Sequence, residues 1–386
     1  MWEENGVLHR DVCHLPKLNL WRDLFPPELE QKLLGAEEGE KIEMNFPAGS
    51  LIPDHDPAKV FKVYSSQFDF SEEDPLIEPK LGLFYRLGCL TGMHGVFRSD
   101  LRPFRIIDRD ANQYWIDCNP PLAGRDLKLE LALETISASQ QERGGQSIDL
   151  ASKLSEGGPG MQASIKGVRT EFESGTPYFR VDEDNDLNFY QKPRMLPHLD
   201  TQAQSELEGL YGRLLTKSNR ILDLMSSWQS HLPQNLDISK VVGLGMNSEE
   251  LSLNPRLDQS LVHDLNQKPE LPFEDENFDA VICSLSIEYL LQPVKVLQEA
   301  RRILVPGGLL LITFSNRWFP PKVIHIWTEL QEFERTGMVL QWLKKASGFR
   351  SLETSSLREL LRPEDDRYRK MSPFSDPIYA VWGYKK

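Results

Sequence analysis

In the second half of the chain, polar residues repeatedly follow short apolar runs, and their types suit the binding of a small polar molecule. Asp223 closes the run Arg220-Ile221-Leu222-Asp223-Leu224 and is followed by Ser226 and Ser227. Asn247 follows a run that begins at Lys240, and Asp264 and Leu265 end a third. Ser284 follows Phe278-Asp279-Ala280-Val281-Ile282-Cys283, and Asn316 and Arg317 follow the run 308–314. Carboxylates accept hydrogen bonds from amino and hydroxyl groups, and serine hydroxyls donate or accept, so such a set could hold a ligand rich in these groups. Loops are polar in any protein, so no single member carries this reading. His231, His198 and Glu288 sit on segments that reach the same region and are the candidates for a proton acceptor, although a lone histidine is more often structural.

These residues meet only if the runs are parallel strands joined by helical crossovers. Between the fourth and fifth runs, Val294, Leu297, Ala300, Arg301 and Leu304 recur at helical spacing, which predicts a helix over 292–304. Alternating strand and helix patterns after a helical lead-in at Asn188 predict a parallel α/β domain, with an edge pair formed by 349–355 and 378–384. Ligands of such sheets bind at the carboxyl ends of the strands, near the reversal of strand order, where the polar residues stand.

Leu271-Pro272-Phe273, Asn277-Phe278-Asp279-Ala280-Val281 and Arg302-Ile303-Leu304-Val305-Pro306-Gly307-Gly308 follow one another at methyltransferase spacing. On these residues the segment 188–386 resembles the type 11, UbiE-like branch of the class I S-adenosylmethionine-dependent methyltransferases. The resemblance implies a Rossmann-like domain with a mainly parallel seven-stranded sheet and S-adenosylmethionine as cofactor. It places Asp223, Ser226, Ser227, Asn247, Asp264, Leu265 and Ser284 at the cofactor, with the Asp264 carboxylate accepting from the adenine amino group. Tyr190 and Arg194, with His198, fall where the family's lid helix lies, and Asn316 and Arg317 fall on the substrate wall.

Two departures from the family are equally visible. After Asp223-Leu224 the chain reads Met225-Ser226-Ser227-Trp228-Gln229-Ser230-His231, without the usual glycine-rich turn. Ser226 and Ser227 could donate to the cofactor carboxylate there, with Asp223 holding its ammonium group; equally, Met225 and Trp228 could plug the pocket. The acid that grips the ribose hydroxyls in the family falls on Gly245, so Asn247 is expected to bond one hydroxyl in its place. A subset of the branch is similar to this chain in running Leu-Asp-Leu-Met-Ser-Ser-Trp into His-Leu-Pro. The implied activity is methyl transfer to a small molecule or a protein. The alternative is a degenerate, non-catalytic methyltransferase fold acting as a binding or chaperone-like protein.

The first half has another texture. Short β-rich runs at 41–46, 60–63, 95–98, 104–108, 114–117 and 127–136, broken by Pro and Gly, predict a small, mostly β module over 1–136. A polar stretch over 137–187, with Gly144-Gly145 and Gly157-Gly158-Pro159-Gly160, predicts a linker with room for a hairpin through 166–172 and 178–181. Trp115-Ile116-Asp117-Cys118-Asn119-Pro120-Pro121-Leu122-Ala123-Gly124, together with Phe46-Pro47-Ala48-Gly49, resembles the SlyD-type FKBP prolyl isomerases. Pro120 stands at that family's histidine position, and too little chain precedes Gly39 to build the aromatic half of its pocket. The resemblance therefore implies doubtful isomerase activity, with a residual prolyl isomerase as a further alternative. It also implies a surface for an unfolded or extended polypeptide through Ile42, Met44, Phe46, Leu51, Ile52, Val60, Phe61 and Val63. A small β core needs many of the same side chains inside.

Composition bounds the rest. At 386 residues the chain is long enough for two cores. With 44 basic against 58 acidic residues the net charge is -14, which argues against a nucleic-acid partner. No apolar run approaches the roughly 20 residues of a membrane span, and the opening lacks a signal-peptide layout, so a cytoplasmic protein is expected. The four scattered cysteines indicate neither a disulfide framework nor a metal site.

Overall fold

The computed structural model describes residues 1–70, 78–138, 147–155, 157–215 and 220–386. The chain divides into two compact units, each discontinuous in sequence. The smaller comprises Met1–Glu4, Leu15–Ser174 and Leu330–Gly337, and the larger Asn5–His14, Gly175–Glu329 and Met338–Lys386. Of the two strands that open the chain, β1 (Trp2–Glu4) falls in the smaller unit and β2 (Val7–Cys13) in the larger.

In the smaller unit β3 (Lys41–Phe46) is followed by β4 (Val60–Tyr64), β5 (Phe84–Arg86), β6 (Pro103–Asp110), β7 (Gln113–Asp117) and β8 (Leu127–Ala132). β3 pairs antiparallel with β8, and β4-β7-β6-β5 form an antiparallel sheet. Alternation along β3 turns Ile42, Met44 and Phe46 inward, onto a core with Trp2, Leu29, Leu51, Ile52 and Leu127. Val63 is buried too, Val60 is half-buried, and of the eight residues expected to offer a polypeptide-binding surface only Phe61 is exposed. The period of two that makes these runs strands also puts the apolar members inside. Asn119 is buried as a structural tie: its amide donates to Asp56 O (3.1 Å) and Asp117 Oδ1 (2.7 Å), while its oxygen accepts from Asp56 N (2.9 Å). Residues 95–98 and 166–181 form turns and contain no strand, so the expected hairpin is absent there. Gly144-Gly145 lies outside the described residues.

The larger unit continues with α-helices at Asp186–Tyr190, Thr201–Leu214, Ser248–Leu253 and Pro293–Ile303, interleaved with strands. The strands are β9 (Arg220–Leu224), β10 (Lys240–Gly245), β11 (Gln259–Val262), β12 (Phe278–Ser284), β13 (Leu304–Phe314), β14 (Phe349–Arg358) and β15 (Ile378–Lys385). The order is β2-β14-β15-β13-β12-β9-β10-β11. Strands β9 to β13 are mutually parallel, β15 runs antiparallel between β13 and β14, and β2 lies parallel to β14. Strand order reverses between β9 and β12, which is the arrangement of a Rossmann-like open sheet. Helices on the sheet faces explain why the central strands are nearly continuous apolar runs, such as Ala280-Val281-Ile282-Cys283, all fully buried.

The helix at Thr201–Leu214 starts at Asp200, whose carboxylate accepts from Ala203 N at 3.0 Å. Its Ala203, Leu207, Leu210 and Tyr211, spaced on one face, pack with Ile221, Val241, Ala280, Ile282, Leu309 and Leu311. Burying each such leucine contributes roughly 1.5–3 kcal/mol. Seven strands are expected from the sequence, and β2 adds an eighth, so β14 is an interior strand and not an edge. Asp11 in β2 accepts from Arg358 Nε (3.1 Å) and from Ser356 Oγ (2.6 Å), which fastens the distant amino-terminal strand. Among the described residues, no helix is long and apolar enough to cross a membrane.

Candidate functional site

At the carboxyl ends of β9, β10 and β12 the larger unit holds a cavity of about 350 Å³. That lies at the low end of the usual range for small-molecule sites. Its wall includes Asp223, Ser226, Ser227, Asn247, Asp264, Leu265 and Ser284, together with Tyr190, Arg194, His198, His231 and Arg317. Two expected residues are elsewhere. Glu288 is 1% exposed within a fully buried turn, Ile287–Tyr289, and does not line the cavity. Asn316, in the loop after β13, is exposed and also stays off the wall.

The loop after β9 makes its turn without glycine. Met225 takes φ +59°, the left-handed conformation that glycine adopts most easily, and its side chain lines the cavity. Trp228 does not line it, and a cavity remains beside Met225. Ser226 N donates to Leu244 O (2.8 Å), drawing the loop against the end of β10. There a Cβ on Gly245 would lie 2.1 Å from Ser226 O, so an acidic side chain has no room at that position.

The side chain of Asn247 is engaged within the protein. Its oxygen caps the helix at Ser248–Leu253 by accepting from Glu249 N (2.9 Å) and Glu250 N (3.0 Å), and its nitrogen donates to Tyr190 O (2.8 Å) and Gln191 O (3.1 Å). The acid at this end of the cavity is Glu250, in the first turn of that helix, and the sequence pattern gives it no prominence. Glu250 accepts from Ser227 Oγ (2.6 Å) and Arg194 N (2.7 Å), which leaves one lone pair on each oxygen. An N-cap residue, Asn247, followed three residues later by a glutamate is the signal by which it could have been found.

The expected hydroxyls also have protein partners. Ser226 Oγ donates to Asp223 Oδ2 (2.6 Å), and Ser284 Oγ bonds the phenol of Tyr211 (2.5 Å), which also meets Thr313 Oγ1 (2.8 Å). Asp264 is different. Oδ1 accepts from Asn266 N (2.9 Å) and Gln267 N (3.2 Å), whereas the buried Oδ2 has no hydrogen-bond partner among the described residues. The same holds for His231 Nδ1.

Burial dominates the electrostatics. It pushes the Asp223 carboxyl up to about 7, against hydrogen bonds from Ser226 and Ser230 that favour the charged form. It holds His231 down to about 4, with His198 adding repulsion, so this imidazole is neutral at neutral pH. Burial also lowers His198 and raises the Tyr190 phenol.

Asp186, on the cavity wall, is the centre of a buried ion cluster. Arg180 NH1 donates to both oxygens of Asp186 (2.8 and 3.0 Å), and Lys322 Nζ, fully buried, lies 3.2 Å from Asp186 Oδ1. Asn266 Nδ2 joins the same carboxylate at 2.8 Å. Arg194 lies over the rings of Phe189 (4.2 Å) and Phe319 (5.2 Å). Among the described residues, no group of three or more His, Cys, Asp or Glu side chains is placed to hold a metal ion.

With this geometry in view, residues 227–312 match the model of a family described as a methyltransferase domain. The match begins just past the turn at Met225 and ends within β13, under a quarter of the chain. It supports S-adenosylmethionine as the cofactor of this domain. The chain is 26% identical over 117 residues to a malonyl-[acyl-carrier protein] O-methyltransferase of Marinomonas sp. (strain MWYL1), covering 30% of this chain and 41% of that protein. It is 44% identical over 43 residues to a demethylmenaquinone methyltransferase of Clavibacter sepedonicus, covering 11% of this chain and 18% of that protein. It thus spans less than half the length of either relative. A solved SAM-dependent methyltransferase from Archaeoglobus fulgidus is similar at 15% identity and a TM-score of 0.36, over 48% of this chain and 93% of that one.

Proposed function

We propose that the larger unit transfers a methyl group from S-adenosylmethionine to a small-molecule or protein acceptor. The observation that carries this reading is Asp264, a residue of the cavity wall at the sheet's switch point whose buried Oδ2 has no hydrogen-bond partner among the described residues, within a segment matching a methyltransferase family.

When bound, the cofactor supplies a methyl carbon activated by a sulfonium charge, so alignment can provide most of the rate. Asp264 Oδ2 would accept from the adenine amino group, and Glu250, not Asn247, would take the ribose hydroxyls on its remaining lone pairs. Asp223 would meet the ammonium group, its carboxylate steadied by Ser226. Leu265 would pack against the adenine. Ser227 and Ser284 act through their neighbours, Glu250 and Tyr211, as positioning residues. Among the three proton-acceptor candidates His231 is favoured over His198 and Glu288, because its side chain lines the cavity and its buried Nδ1 has no hydrogen-bond partner among the described residues.

The smaller unit, on its resemblance to SlyD-type FKBP proteins, would help to recruit or position a polypeptide without useful isomerase activity. The glycine-free turn with Met225 in the wall favours a second reading, a non-catalytic binding protein.

Calorimetric titration of S-adenosylmethionine and its demethylated product into the full chain tests the cofactor reading. Binding in the micromolar range is expected, and absence of heat with a folded protein overturns it. A proline-limited refolding reaction followed with the full chain tests the smaller unit. Acceleration at catalytic concentrations would show that an isomerase pocket persists.

A further inference from the structure

The cavity wall carries carboxylates and three guanidinium groups, of which Arg194 lies over Phe189 and Phe319. Asp223, Glu250 and Asp264 gather at the ends of β9 to β11, whereas Arg317 and Arg367 both approach the Tyr368 ring, their guanidinium carbons 5.6 and 4.5 Å from its centroid. The carboxylate beside them is already engaged. Asp376 Oδ1 accepts from Arg317 Nε (3.0 Å) and Arg362 NH2 (2.7 Å), and its Oδ2 accepts from Asp200 N (3.0 Å). Asp200 and Asp366 face Arg362 at 3.4 and 3.6 Å. The terminal nitrogens of Arg317 and all the donors of Arg367 therefore have no hydrogen-bond acceptor among the described residues, although both side chains line the cavity.

Next to them is an aromatic surface. Phe319 stacks on Tyr289 with centroids 6.0 Å apart and planes 28° apart, and it takes the His198 ring edge-on at 5.5 Å. Its backbone is fixed by Phe319 N donating to Tyr289 Oη at 2.8 Å. Tyr289 takes one face of Phe319 and Arg194 lies over the ring, so a flat apolar body meets this wall by edge contacts. Guanidinium forks match a carboxylate in two parallel hydrogen bonds, and a cationic group would be repelled by the same pair. A neutral acceptor would leave these donors to water. The chain's net charge of -14 gives no general attraction for anions, so this local pair of donors is where an anion would gain.

We propose that the methyl acceptor is a flat aromatic molecule bearing a carboxylate, with the carboxylate held by Arg317 and Arg367 and the ring laid against Phe319. The proposal rests on the methyl-transfer reading for its chemistry and on the arginine pair for its specificity.

The test uses the full chain with 2-naphthoate and 2-naphthamide as probes, which share a ring system and differ in charge. Each is titrated by ligand-observed NMR into protein saturated with S-adenosylhomocysteine. The naphthoate is expected to bind about tenfold more tightly than the amide, the size of one charge-assisted hydrogen bond. Arg367→Gln, a change at an exposed side chain, is expected to remove most of that preference while leaving the amide and S-adenosylhomocysteine affinities unchanged. Arg317→Gln should remove the remainder. Equal binding of the two probes, or a preference that survives both substitutions, overturns the proposal. Failure of S-adenosylhomocysteine to bind is seen separately and counts against the methyl-transfer reading. The probe titrations then run on the protein alone, where loss of the preference in Arg367→Gln still supports the anion site and absence of any preference overturns it.

Discussion

Ser226 and Gly245 are in backbone contact across the ends of β9 and β10: the Ser226 carbonyl oxygen lies 2.1 Å from where a Cβ on residue 245 would stand. One relationship thus accounts for both departures from the methyltransferase pattern. The first loop closes on β10 without glycine of its own, and the glycine it needs is on the neighbouring strand. Gly245→Ala must push the Ser226 carbonyl aside. We expect a loss of ~1–3 kcal/mol in urea denaturation, typical of overpacking, together with weaker cofactor binding. An unchanged midpoint would show that the loop yields freely.

Asp264→Ala should weaken S-adenosylmethionine binding roughly ten- to a hundredfold, the equivalent of about 1.5–3 kcal/mol for a hydrogen bond to a charged group. Calorimetry on the folded variant checks this, and unchanged affinity would remove Asp264 from the site.

Glu250→Gln should lower cofactor affinity by about tenfold or more, since hydrogen bonds to a carboxylate are roughly twice as strong as neutral ones. Asn247→Ala should act chiefly on stability, by about 1 kcal/mol, through loss of the helix cap. If Asn247→Ala instead costs more affinity than Glu250→Gln at equal stability, the roles of the two residues are reversed.

If Asp223 meets the cofactor's ammonium group as proposed, it links cofactor binding to pH. Burial holds its carboxyl at about 7, above the ordinary 3.8, so the native chain keeps a proton that the unfolded chain releases. The contribution of Asp223 to stability therefore falls as pH rises from about 4 to about 7. His231, held at about 4 against an ordinary 6.5, acts in the opposite sense below pH 6.5, so wild type must be compared with Asp223→Asn to isolate the acid. The stability difference between them should move against wild type across this window. Ionisation of Asp223 toward an ammonium group should also release a proton on cofactor binding at pH 6.5. Binding enthalpies measured in phosphate and in Tris would then differ for wild type, and the gap should shrink in Asp223→Asn.

Arg358→Ala breaks a pair with Asp11 in which both side chains are less than a tenth exposed. Removing one partner of a buried pair costs about 3–5 kcal/mol. Thermal unfolding should fall accordingly, and a shift no larger than that of a surface substitution would mean that β2 adds little to the sheet.

The sequence by itself determined the parallel strands of the larger unit and pointed to the strand ends at which the cavity lies. Those features follow from local patterns, such as the apolar run 278–283 and the helical period over 292–304. Family spacing likewise pointed to Asp264, which lies two residues past the end of β11. Tertiary structure alone decided which polar groups remain available. Asn247, Ser227 and Ser284 have the right types at the right strand ends, but their hydrogen bonds are taken by Tyr190, Glu250 and Tyr211, each remote in sequence. Glu250 gained its place because a helix cap turned it toward the cavity, and Glu288 lost its place because a buried turn drew it away. In the smaller unit the apolar members of β3 could equally have faced solvent or core, and a period of two does not tell which face is covered. The strand β2 is the extreme case, since its partner β14 lies some 340 residues away and only long-range hydrogen bonding joins them.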